Sequence, residues 1–209
     1  LNVLNKLPSH LVGEIDHENG LRETFALTIE VTERAAELLA GRVWPVLAVH
    51  PALAPRLTER GYEPDEAADL MKAGIDVAAE YVASGPALAI KSGLPHYDVD
   101  DDVWAASNEV MRHAFSRAGE VGCAVQLHTE GGEEFAEVAE WAESAGMPRE
   151  RVVKHYSGGY VEGPIPSVIC NQDELERACG GEWPFLMGDD FIHDPDRPSA
   201  VLRPEDRPK

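Results

Sequence analysis

Short apolar runs alternate with long segments of helical periodicity along the whole chain. The apolar runs are Leu1–Asn5, Pro45–His50, Ala87–Lys91, Gly122–His128, Arg151–His155, Pro164–Cys170 and Trp183–Gly188. Each is too short for a helix and almost continuously hydrophobic, which predicts strands buried on both faces. Between them, Leu21–Ala40 carries Leu21, Phe25, Ile29, Ala36 and Leu39 at near-helical spacing and stops at Gly41. Pro64–Val82 opens with Pro and two acids, and Asp100–Val121 opens with three consecutive Asp, both favourable at a helix N-terminus. Glu133–Ala145 and Asp173–Cys179 complete the predicted helices. A β-α-β-α order with continuous apolar strands predicts a parallel sheet covered by helices. A barrel and a doubly wound sheet both fit this pattern. No internal repeat breaks it, so residues 1–209 read as a single domain.

Polar residues fall at a particular place in this pattern. His50 ends one apolar run, Lys91 the next, His128 the next and His155 the one after, while Asp190 follows the last. In a parallel barrel the C-terminal strand ends converge on one mouth, which is where active sites form. Singly, a strand-end His is more often a hydrogen-bonded structural residue than a ligand, Lys91 reads equally as an ion-pairing cation, and Asp190 as an N-cap. Their recurrence on successive strands favours a site. His128 and His155 offer nitrogen donors and Asp190 a hard oxygen, a mixture suited to Zn²⁺ or a similar divalent ion. A lysine ammonium binds no metal, but a lysine carboxylated by CO₂ does. Lys91 also fits a Schiff-base nucleophile of a metal-free aldolase, although the imidazole pair is surplus to that chemistry.

Charge and composition narrow the field. Asp plus Glu number 38 against 18 Lys plus Arg, a formal net charge of −20, and only five residues are Lys. Such a body repels phosphate backbones at low salt, and no basic, aromatic-interleaved stripe tracks nucleic acid. The scarcity of Lys favours an acidic coat adapted to a salt-rich, halophilic cytoplasm over an ordinary acidic enzyme. No signal peptide and no run of about 18 apolar residues appears, so a cytoplasmic location is expected and no membrane partner. Three cysteines without a CxxC argue against disulfides and a Cys-type zinc site, with Cys123 read as core. The four Trp read as packing residues, and the Gly131-Gly132 and Gly158-Gly159 pairs as turn formers more readily than phosphate cradles. His113 reads as an exposed or packed helix residue.

The segments AVHP (Ala48–Pro51), KSGLPHY (Lys91–Tyr97), QLHTE (Gln126–Glu130), KHYSGG (Lys154–Gly159) and FLMGDDF (Phe185–Phe191) resemble, in order, the TatD-like deoxyribonuclease family of the amidohydrolase superfamily, and within it an archaeal branch. The resemblance implies a (β/α)8 TIM-barrel of metallo-dependent hydrolase type, with one or two divalent ions, Zn²⁺ first and Mn²⁺ or Mg²⁺ as alternatives. It implies that Lys91 stands where the family has a bridging carboxylate, and is carbamylated by analogy with other amidohydrolases. His128, His155 and Asp190 become further metal ligands, with Asp190, or alternatively Asp189, also taking a proton from the attacking water. Lys6, His50 and His96 are expected to hold a substrate anion. The family's first-strand His-x-His occurs nowhere in this sequence, and the expectation is a barrel lacking its first strand and last helix. The expected activity is hydrolysis of a phosphoester or phosphodiester, such as a DNA end, or of a small ester or lactone. The alternative is a non-catalytic, degenerate metal-binding barrel.

Overall fold

The computed structural model describes residues 2–4, 15, 17–40, 42–130, 134–181 and 184–188. Among the described residues are seven strands and six α-helices in largely alternating order. The strands are β1 (Asn2–Leu4), β2 (Trp44–Ala48), β3 (Ala89–Gly93), β4 (Ala124–His128), β5 (Val152–His155), β6 (Ile165–Ile169) and β7 (Leu186–Gly188). The helices are α1 (Glu18–Leu38), α2 (Leu53–Glu59), α3 (Pro64–Ser84), α4 (Asp101–Val121), α5 (Ala136–Ser144) and α6 (Gln172–Cys179).

All pairings are parallel, and the strands lie side by side in chain order from β1 to β7. A doubly wound sheet reverses its order at a switch point; this one never reverses, which is the winding of a (β/α) barrel. Among the described residues the sheet is an open, partial barrel, with no pairing of β7 to β1.

Alternation along each strand divides the side chains between two faces. Leu47, Val49, Ile90, Val125, Leu127 and Val152 belong to the main core with Met71, Ile75, Val110, Met111 and Phe115 of the covering helices. Lys91, Gln126, His128, Val153 and His155 alternate with these core residues and so occupy the opposite, barrel-inner face. The pairs Lys91–Gln126, Gly93–His128 and Gln126–Val153 are in direct register.

Local sequence explains the helix ends. Pro64 is the first residue of α3, and Glu63 and Glu66 close a capping box around it. Asp100 precedes α4, with Asp101 and Asp102 in its first turn. Gly85 and Gly122 end α3 and α4 in the left-handed conformation, at φ 102° and 71°.

Three expectations need correction. Lys91 is not the end of its strand: β3 continues to Gly93, because the apolar run reports which residues are buried and not where backbone pairing stops. The buried stripe of α1 is Leu21, Thr24, Phe25, Thr28 and Thr32, while Leu38 and Leu39 are exposed. The three threonine hydroxyls donate to the carbonyls four residues earlier, which satisfies them against the sheet. Trp44 and Trp104 are substantially exposed, whereas Trp141 packs under the Arg112 guanidinium at 4.3 Å. Helix α2 has no counterpart among the predicted helices. Pro55 lies in its first turn, where the missing N–H costs nothing.

Candidate active site

Four histidines meet at the C-terminal ends of β2, β3, β4 and β5. His128 is at their centre. Its ring centroid lies 4.7 Å from His50, 4.9 Å from His96 and 6.1 Å from His155. His128 and His155 are the last residues of neighbouring strands. His50, read from the sequence as a strand end, instead follows β2 by two residues, and His96 sits in the loop after β3.

Gly93 brings the β3 loop this close. Its φ is 149°, and a Cβ there would lie 1.8 Å from the His128 carbonyl oxygen. The Leu94 N–H donates to that oxygen at 2.8 Å. With no side chain at 93, the backbone of β3 closes on β4 and delivers His96 to His128.

Hydrogen bonds assign roles to the ring nitrogens. Nδ1 of His50 accepts from the Ala52 N–H at 3.2 Å. Its neutral ring therefore carries the proton on Nε2, making it a donor for a substrate oxygen. Nε2 of His128 shares a proton with Nδ1 of His96 at 3.0 Å. Nδ1 of His155 lies 3.5 Å from the Gln126 amide nitrogen.

Burial pushes the His128 imidazolium pKa down to about 3, and the nearby charges of Lys91, His50, His96 and His155 push in the same direction. His128 is thus neutral at physiological pH, the form that binds metal. Lys91 is buried on the same inner face, in register with Ala48 on one side and Gln126 on the other.

Sequence reasoning overlooked Gln126 and the aromatic rim. Gln126 lies two residues before His128, and a polar residue at that spacing inside an apolar run was the available signal. Tyr97 and Tyr156 are exposed and stand edge-on to His96 and His155, at 5.3 and 6.4 Å. The His-Tyr dipeptide, once in the loop after β3 and once at the end of β5, marks them. Tyr156 holds a left-handed backbone, φ 56°, of the kind that costs a non-glycine residue about 1–3 kcal/mol and clusters at functional sites.

Other residues take the plainer reading. His113 bonds Asp76 at 2.8 Å between α4 and α3, away from the cluster. Gly158 and Gly159 have φ of 71° and 140°, as turn glycines do. Cys123 is core, and burial raises its thiol pKa. No helix among the described residues is long and apolar enough to cross a membrane.

A profile of the TatD related DNase family matches residues 12–164. The chain belongs to the TatD-related DNase family. The match takes in His50, Lys91, His96, His128 and His155. Over 120 residues the chain is also 38% identical to the uncharacterized protein MJ1127 of Methanocaldococcus jannaschii, an alignment covering 53% of this chain and 41% of that protein. The chain thus spans less than half the length of this curated relative.

TatD-related membership raises the question of a divalent ion, and the donors answer it in part. His128 and His155 on adjacent strands are two imidazoles of the right chemistry. No group of three or more His, Cys, Asp or Glu suited to a metal stands among the described residues. Asp190, Asp189 and Lys6 lie outside them.

Proposed function

We propose that this chain is a metal-dependent hydrolase acting on phosphoester or phosphodiester bonds, with small esters or lactones as further substrates. The observation that carries this reading is the histidine cluster centred on neutral His128, on the inner face of a sheet wound like a barrel. His128 and His155 would hold a divalent ion, zinc by donor type, joined by Asp190 and by Lys91 in carbamylated form. One or two ions fit that ligand set. A bound ion supplies water activated near neutral pH and polarises the bond to be cut.

The protein's own side chains do the rest. His50 presents Nε2–H to a substrate oxygen, and His96 stands beside it across His128. Asp190 accepts the proton of the attacking water, and Lys6 adds a positive charge for an anionic substrate. With the bound ion and Lys6 as its positive charges within a body of net charge −20, the site would draw an anion that the surface at large repels. That favours a small phosphoester or a nucleic-acid end over a long duplex.

The test is metal content by elemental mass spectrometry on purified protein, alongside the His128→Ala/His155→Ala double variant. Near-stoichiometric metal, lost in the variant and accompanied by hydrolysis in a screen of phosphoesters, lactones and DNA ends, is expected. A parent that takes up no metal after incubation with zinc or manganese and bicarbonate refutes the reading, and a non-catalytic barrel takes its place.

A further inference from the structure

Gln126 occupies the inner face between two candidate ligand-bearing positions. It is in register with Lys91 on β3 and lies two residues before His128 on β4. Its amide nitrogen reaches Nδ1 of His155 on β5, at 3.5 Å. Its amide oxygen is buried and has no hydrogen-bond partner among the described residues. Buried amide oxygens are nearly always bonded, so this one is informative.

A carboxamide has two chemically opposite ends of one shape. Turned by half a revolution, it offers His155 an acceptor instead of a donor. With the nitrogen facing Nδ1, the His155 ring accepts there and must carry its proton on Nε2, which then cannot bind a metal. With the oxygen facing Nδ1, the ring donates from Nδ1–H and its Nε2 lone pair becomes the ligating one. Metal-binding histidines are oriented in this second way by an acceptor behind the ring. His50 shows the contrast within the same cluster: a backbone N–H holds its Nδ1 as acceptor and makes it a donor at Nε2.

We propose that Gln126 is a positioning residue for His155, its amide oxygen taking the Nδ1 proton and so committing Nε2 to a divalent cation. The half-turn exchanges the two ends of the amide, which have nearly the same shape, and gives the partnerless oxygen the Nδ1 proton to accept. The inference rests on the metal-site reading above for its use, but its physical content is the tautomer of His155.

The experiment has two readouts on the full chain. Long-range ¹H–¹⁵N spectra of metal-stripped protein report the His155 tautomer, its signal assigned by its loss in His155→Gln. Competition against a chromogenic chelator reports zinc affinity. Nδ1–H is expected in the wild type. Gln126→Met should convert His155 to the Nε2–H form and weaken zinc binding by roughly 10- to 100-fold. Gln126→Glu, which keeps an acceptor, should retain Nδ1–H and bind zinc at least as well as wild type. Nε2–H in the wild type overturns the proposal. So does a Gln126→Met protein with unchanged tautomer and affinity, or a Gln126→Glu protein as weak as Gln126→Met. A wild type with Nδ1–H that binds no zinc sinks the hydrolase reading while the assignment of Gln126 stands.

Discussion

Replacing Gly93 with Ala tests how the site is assembled. The added Cβ would sit 1.8 Å from the His128 oxygen, 2.6 Å from its carbonyl carbon and 2.7 Å from its nitrogen. All three are backbone atoms of β4, in a core strand pair, and none can swing aside as a side-chain tip would. The backbone must move, breaking the 2.8 Å bond from Leu94 N–H to His128 O. Loss of that bond with its groups still buried costs about 1–3 kcal/mol. The φ of 149° adds a further cost of about 1–3 kcal/mol for a non-glycine residue. A total of roughly 2–6 kcal/mol corresponds to a fall in Tm of roughly 4–24 °C for a chain of this size. Gly85→Ala is the control, since its φ is 102° but nothing lies within 4 Å of the new Cβ; it carries conformational strain alone and should lose only a few degrees. Thermal unfolding followed by circular dichroism, on metal-stripped protein, reads both. Equal losses in the two variants would mean that close approach at Gly93 is not what holds β3 against β4, and the account of His96 reaching His128 would fail with it.

Three other outcomes are expected. His128 has a folded-state pKa of about 3 against an ordinary 6.5, so the unfolded chain takes up a proton in that window and the folded chain does not. Stability of the metal-stripped protein should therefore fall as pH drops from 6.5 towards 3, at up to about 1.4 kcal/mol per pH unit from this group; urea titrations of His128→Gln should show a shallower slope. Lys154 is buried, donates to the His155 carbonyl at 3.1 Å, and has a pKa lowered chiefly by desolvation, which Glu130 partly opposes. Unfolded Lys keeps its proton up to about 10.5, so wild-type stability should rise between neutral pH and that value, and Lys154→Met should lack the rise in the same urea assay. The net charge of −20 should make Tm increase as KCl goes from about 0.1 to about 1 M, where the screening length shrinks from about 10 to about 3 Å; a flat or falling Tm in a salt series would remove the case for an acidic coat adapted to salt.

The amino-acid sequence alone determined the alternation of strands and helices, because apolar runs and 3.6-residue periodicity are local properties of the chain. It also marked His128 and His155 as strand ends, since each closes an apolar run and the structure ends β4 and β5 on them. The helix start at Pro64, and to within one residue that at Asp101, were legible for the same reason: capping chemistry acts within one turn. Tertiary structure decided the rest. Only strand order distinguished a barrel-like winding from a doubly wound sheet, because both share one local pattern. Only register placed Lys91 in mid-strand beside Gln126. The depressed His128 pKa arises from burial and from charges on three other strands and their loops, none of which is its sequence neighbour. The need for glycine at position 93 comes from the backbone of a residue 35 positions later, meeting it across the β3–β4 pair.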